Sequence, residues 1–199
     1  MRSKGVIAAV VLALLLGLAG CGAVSSYNTL VGADEEVSTA WSNVETQYQR
    51  RADLIPNLVE TVQGAADFEQ ETLQSVTEAR AKATSVQISA EDLDDPQQFQ
   101  RFQEAQSALG QSLGRLLAVS ENYPELRATQ NFSDLQAQLE GTENRIAVAR
   151  RDYNNAVRSY NTNVRSFPTM LFAGLMGFEP KVPFEAEEGA DEAPDVNFN

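Results

Sequence analysis

The stretch that decides the fold is FSDLQAQLEGTENRIAVARRDYNNAVRSYNTNVRSF, residues 132–167. Phe132, Leu135, Leu139, Thr142, Ile146, Ala149, Tyr153, Ala156, Tyr160, Asn163 and Phe167 recur there on steps of three and four. Such steps keep one face of an α-helix turned toward neighbouring helices, as in a bundle seam. The same rhythm appears upstream in Tyr27, Leu30, Val37, Trp41, Val44 and Tyr48, with Asp34 in the polar slot. A further strip holds Leu58, Val62, Ala66, Leu73, Val76 and Ala83, and another Phe99, Phe102, Gln106, Leu109, Leu113, Leu116, Ser120 and Tyr123. No segment alternates with period two, so strands are not expected.

Breaks between these strips are marked by proline. Pro56 suits the first turn of a new helix, with Asp53 nearby as a cap. Residues 92–96 interrupt the middle of the chain and open the third helix, Asn122-Tyr123-Pro124 ends it, and Phe167-Pro168 ends the fourth. The expected fold is all-α: an antiparallel up-and-down four-helix bundle over residues 25–168, with helices about 40–55 Å long. The three-four phase also runs unbroken from Tyr48 across Pro56 to Leu58 and Val62, which is compatible with one kinked helix.

Composition removes several chemistries. The 199 residues contain no His, a single Cys, and 28 Asp and Glu against 15 Lys and Arg. Without His there is no Ser-His-Asp or Cys-His catalysis and no imidazole metal site. One Cys allows neither an internal disulfide nor a thiolate zinc cluster. A formal charge of −13 argues against nucleic acid as a partner, because displacing phosphate counterions needs basic surface. Glu140, Glu143, Asn144, Arg145, Arg150, Arg151, Asp152 and Asn154 on the fourth strip read as salt links within and between helices. The bundle metal sites that use Glu-x-x-His are unavailable, and no cofactor is expected.

The N-terminus is a targeting segment. Arg2 and Lys4 precede apolar residues 6–19, and Leu18-Ala19-Gly20-Cys21 resembles the bacterial lipoprotein box. Residues 1–20 then form a signal and Cys21 becomes the lipid anchor. The alternative is an uncleaved membrane helix over about residues 5–24. Both readings attach the protein to the cell membrane or outer membrane, with the body outside the cytoplasm by the positive-inside rule.

Several strings together resemble the LemA family: Tyr27-Asn28-Thr29-Leu30-Val31, Ala40-Trp41, Arg50-Arg51-Ala52-Asp53-Leu54-Ile55-Pro56-Asn57-Leu58-Val59 and Glu78-Ala79-Arg80. Others are Glu121-Asn122-Tyr123-Pro124, Glu140-Gly141-Thr142-Glu143-Asn144-Arg145-Ile146, Ala149-Arg150-Arg151-Asp152-Tyr153-Asn154 and Ser166-Phe167-Pro168. The likeness runs from about residue 27 to 178. It implies a membrane-attached bacterial protein with a four-helix antiparallel bundle, hence a reversal at Pro56, and no established enzymatic activity. The lipoprotein box departs from the simple N-terminal span of many members.

With a reversal at Pro56, the first and third connections share the membrane-distal end. Arg50, Arg51, Asp53, Asn57, Glu121, Asn122, Tyr123 and Arg127 then gather at one tip. They form either a recognition tip for a partner's carboxylate or phosphate, or a set of charges that pair with one another and cap helix ends. Polar seam residues Asp34, Gln106, Ser120, Thr142 and Asn163 read as register setters. Apolar residues 169–178 either plug the base of the bundle or lie in the lipid interface. Residues 179–199 carry seven acidic residues and three Pro, a composition that predicts a disordered acidic tail. The functional expectation is a non-enzymatic scaffold or adaptor that contacts unidentified envelope proteins. A peptide- or small-ligand-binding module using a groove of the bundle is the alternative.

Overall fold

The computed structural model describes residues 2–64 and 69–185, apart from the side chains of residues 2–4, 8, 15, 16, 18, 19 and 21. It is all-helical over the described residues. The longer helices are α1 (Arg2–Gln63), α2 (Gln70–Ser85), α3 (Pro96–Ser120) and α5 (Gln130–Arg165), joined by short α4 (Pro124–Arg127) and followed by α6 (Met170–Ala173). A 3-10 turn at Ala90–Asp92 precedes α3, and another, Gly174–Met176, follows α6.

Pro56 lies inside α1, so the expected reversal there does not occur. Proline in a helix interior removes one N–H and pushes against the carbonyl four residues earlier. That carbonyl belongs to Ala52, and it accepts a hydrogen bond of 2.8 Å from Arg80 Nε on α2. A side chain from another helix thus satisfies what the proline leaves unpaired. The buried face continues through the site as Tyr48, Ala52, Ile55, Leu58 and Val62. Asp53 is not a helix cap but a mid-helix surface residue that accepts from Gln49 Nε2 at 2.8 Å.

The start and end of α3 and the end of α5 match their sequence signals, whereas the break after Gln63 and before Gln70 falls inside the strip read as one helix from Leu58 to Ala83, whose Ala66 lies outside the described residues. Asp95 caps α3, its carboxylate accepting from the Gln97 and Gln98 amides at 2.8 and 3.2 Å, with Pro96 in the first turn. Thr129 caps α5 through the Phe132 amide. Helix α3 ends at Ser120, just before Asn122-Tyr123-Pro124, and α5 ends at Arg165.

Helix α5 packs antiparallel along α1, and α2 and α3 pack on each other. One stretch of core is aromatic: Trp41 has Phe99, Phe102, Tyr153 and Phe184 rings around it at 5.3–6.1 Å. Its indole N–H donates to the Ile88 carbonyl at 3.1 Å. Toward the far end the core is aliphatic, with Ile55, Leu58, Val62, Leu113, Leu116 and Leu139 around Phe132. In the last third of α5 the buried residues are Val157, Tyr160 and Val164; Tyr160 lies on the expected seam, but Ala156 and Asn163 are only half-buried and Phe167 is exposed. A straight helix turns every 3.6 residues, so a strict heptad reading drifts off the true seam over this length.

Among the described residues no helix is long and apolar enough to cross a membrane; residues 5–24 lie within α1, and the Cys21 side chain is outside the described residues. At the other end, residues 179–185 are not a disordered tail. They run as an extended strap along α5, with Phe184 buried in the aromatic core. The remainder of the acidic tail, 186–199, lies outside the described residues. Residues 170–178 divide their apolar side chains: Ala173 is buried and Phe178 meets Tyr27 at 5.9 Å, while Met170, Leu171 and Leu175 are exposed.

Candidate functional site

Continuity of α1 through Pro56 splits the expected tip cluster in two. Arg50, Arg51 and Asp53 lie more than two turns before the end of α1. Asn57 lies closer to that end, near the connection that carries Asn122 and Tyr123.

Arg51 occupies the waist. It is 3% exposed, and a buried guanidinium must be paired to be tolerated. Its Nη1 meets Glu143 Oε1 at 3.0 Å; its Nη2 donates to Gln106 Oε1 at 2.6 Å and to the Gln106 carbonyl at 3.2 Å. Gln106 in turn donates to the Ala83 carbonyl at 3.4 Å, and the guanidinium carbon lies 5.0 Å from the Tyr48 ring centroid. One arginine therefore ties α1 to both α3 and α5. Its Nε has no hydrogen-bond partner among the described residues. Beside it, Arg51, Gln106, Gly110, Glu143 and Arg150 border an open groove of about 770 Å³ between α3 and α5.

At the end of α1, Asn57, Glu60, Thr61 and Gly64 face Asn122, Tyr123, Pro124, Glu125, Leu126, Thr129 and Asn131 across a groove of about 1040 Å³. Asn57, Asn122 and Tyr123 are thus brought together as expected. Glu121 caps α3, its amide donating to the Ala118 carbonyl at 3.3 Å, and Arg127 is exposed in the last turn of α4. Neither lines the groove. Arg50 and Asp53 border a separate, shallow surface depression with Glu45. Partial burial holds the Glu45 carboxyl above the usual carboxylate range, the Trp41 side chain acting in the opposite sense.

The register residues behave variously. Gln106 is part of the arginine network, whereas the Ser120 and Thr142 hydroxyls bond back to their own helices at 2.6 and 2.7 Å. Asp34 pairs with Lys181 of the strap at 3.3 Å. No group of His, Cys, Asp and Glu suited to a metal ion occurs among the described residues. Sequence reasoning missed the Arg51–Glu143 link, since placing Arg51 at a turn moves it away from Glu143. The available signal was the unbroken apolar phase across Pro56.

The model of the LemA family matches residues 40–198. This chain belongs to the LemA family. The match includes the waist arginine, the tip groove and the strap, three features that the fold places at different heights along α1 and α5. The LemA-family chain is 26% identical over 181 residues to magnetosome protein MamQ 2 of Paramagnetospirillum magneticum, covering 83% of this chain and 66% of that relative. It is 26% identical over 184 residues to magnetosome protein MamQ of Magnetospirillum gryphiswaldense, covering 84% and 67%. Protein LemA of Metamycoplasma hominis is 25% identical over 161 residues, covering 81% and 69%. The chain spans just under two thirds of the length of the Paramagnetospirillum relative.

Proposed function

We propose that this LemA-family chain is a membrane-attached, extracytoplasmic scaffold or adaptor without enzymatic activity. In this reading α1, α2, α3 and α5 form an antiparallel up-and-down four-helix bundle, and Cys21 or the apolar segment around it fixes the N-terminus to a membrane. The observation that carries the reading is the position of the tip groove. Asn57, Asn122 and Tyr123 border it, and Asn57 lies about 50 Å along α1 from Cys21 at 1.5 Å per residue. A rod of that length presents a polar contact surface well clear of lipid headgroups.

The interior supports a contact role. Trp41, Phe99, Phe132, Tyr153 and Tyr160 are fully buried and fill the core, and the buried arginine is turned onto partners within the fold. At the anchored end, exposed Phe167, Met170, Leu171 and Leu175 form an apolar collar suited to the headgroup boundary.

The reading is tested by placing a photo-crosslinking residue at Asn122 and, separately, at Arg158 on the exposed face of α5. A discrete adduct at 122 in intact cells, absent at 158 and lost with Asn57→Ala, is the expected result. Equal labelling at both positions overturns the tip assignment. Recovery of the unmodified chain in the soluble fraction overturns membrane attachment.

A further inference from the structure

The strap at residues 181–184 is held the way a peptide-binding protein holds an extended ligand. Asn161 accepts the Lys181 amide at Oδ1 and donates to the Lys181 carbonyl from Nδ2, both at 2.8 Å. Asn154 does the same for Phe184, at 2.8 and 3.0 Å. Each side-chain amide thus takes the place of a neighbouring β-strand residue, satisfying one N–H and one C=O together. Between these clamps, the Val182 amide donates to the Leu93 carbonyl at 2.9 Å, and the Val182 carbonyl accepts from the Tyr153 hydroxyl at 2.8 Å.

The spacing fits the ligand backbone. The two asparagines are seven positions apart on the helix, a rise of about 10.5 Å. Lys181 and Phe184 are three positions apart on an extended chain, about 10 Å. The two periods coincide, so the strap runs antiparallel to α5 with both clamps engaged. Side-chain selectivity is strongest at the ends, with Val182 between them partly buried against the core. Lys181 Nζ lies 3.3 Å from Asp34 Oδ1 and 3.4 Å from the Ala90 carbonyl, beside the Tyr160 ring. Phe184 is enclosed by Trp41, Phe99 and Tyr153, with the Arg150 guanidinium 4.7 Å from its ring centroid. None of these contacts requires the strap to be covalently joined to α6.

We propose that this face of α1 and α5 is a peptide-binding channel for an extended segment carrying a basic residue three positions before an aromatic one. Residues 181–184 are its intramolecular occupant, and a partner segment of that pattern displaces them. Gly177, whose φ of 78° lies in the left-handed region that favours glycine, ends the 3-10 turn Gly174–Met176 and turns the chain, through Phe178 docked on Tyr27, into the strap. A tethered occupant has an effective concentration of about millimolar. It therefore excludes a weak ligand and yields to a tight or multivalent one. This channel is distinct from the tip groove, and either assignment can fail without the other.

The test uses the full chain and a fluorescein-labelled synthetic peptide with the strap sequence Glu-Pro-Lys-Val-Pro-Phe-Glu. A full-length Phe184→Ala chain, with its own occupant disarmed, is expected to bind the peptide saturably and at least tenfold tighter than the unmodified chain. Adding Asn154→Ala and Asn161→Ala should abolish that binding, as should replacing the peptide's Phe by Ala. No binding to a Phe184→Ala chain that keeps its helical circular dichroism overturns the proposal, as does equal binding to the unmodified chain. Hydrogen exchange on the unmodified chain provides a second reading independent of any variant. The Lys181, Val182 and Phe184 amides should exchange at least tenfold faster than the buried amides of α5, and exchange at the same rate overturns displacement of the strap.

Discussion

Arg80 donates from Nε to the carbonyl oxygen of Ala52 at 2.8 Å, the carbonyl that Pro56, having no N–H, leaves without its helical partner. Two strings far apart in the sequence, one around Pro56 and the other ending in Arg80, are therefore parts of one device. It lets α1 cross a proline and carry its apolar face on to Val62.

This relationship predicts a coupled pair of substitutions. Arg80→Met should cost about 1–3 kcal/mol in the Pro56 chain, because a buried carbonyl is left unsatisfied. Pro56→Ala restores the missing N–H, so Arg80→Met should cost much less in that background. Urea unfolding followed by circular dichroism gives all four corners of the cycle. Additive costs would mean that Arg80 does not stand in for the absent helix bond.

Arg51 predicts a different pattern. Lysine keeps the charge but cannot present a planar fork to Glu143 Oε1, Gln106 Oε1 and the Gln106 carbonyl together. Arg51→Lys is expected to destabilise by about 1–3 kcal/mol through lost hydrogen bonds to a charged group. Glu143 is half-exposed, so Glu143→Gln should cost less than Arg51→Lys. Denaturant melts compare the two. A larger loss from Glu143→Gln would assign the stabilisation to the ion pair and not to the fork.

Helix type, both limits of α3 and the end of α5 were legible because their causes are local, whereas the break between α1 and α2 interrupts an apolar strip that reads as continuous. Asp95 with Pro96 announces the start of α3, and Asn122-Tyr123-Pro124 announces its end, by residues within a turn of the site. Pro56 misleads because its compensation comes from Arg80, which no local pattern links to it. The strap was hidden by averaging: seven acidic residues over 179–199 mask Lys181-Val182-Pro183-Phe184, which is apolar and basic. Asn154 and Asn161 look like ordinary surface polar residues until the strap lies across them. At the tip, Asn57, Asn122 and Tyr123 were found together despite the wrong turn, since Asn57 is near enough to the true end of α1.

Alkaline stability should reflect the buried tyrosines. Burial, reinforced by the charges of Asp34, Asp94 and Glu179, raises the Tyr160 phenol to about 12, and burial also raises Tyr153. An unfolded tyrosine ionises near pH 10, so the unfolded state loses its proton first. Stability is full below about pH 10 and falls as pH rises toward the folded value near 12. Tyrosinate absorbance and circular dichroism should change together in that window. Tyr160→Phe should flatten the decline; an unchanged slope would remove Tyr160 as its source.

Asp95 sets the corresponding acid limit at the start of α3. Hydrogen bonds from the Gln98 backbone and side chain, helped by the Gln97 amide and the Arg101 charge, hold its carboxyl below the usual carboxylate range. Its folded value being lowered, the cap contributes stability above the unfolded value near pH 4, and that contribution is lost as pH falls through the folded value. Asn also serves as an N-cap but does not titrate. Asp95→Asn should therefore keep most of the neutral-pH stability while losing this part of the acid dependence, and Asp95→Ala should lose both. Thermal melts between pH 7 and pH 3 separate the cases. If Asp95→Asn keeps the full acid slope, the titrating group lies elsewhere; if it falls as far as Asp95→Ala at neutral pH, the charge matters more than the cap geometry.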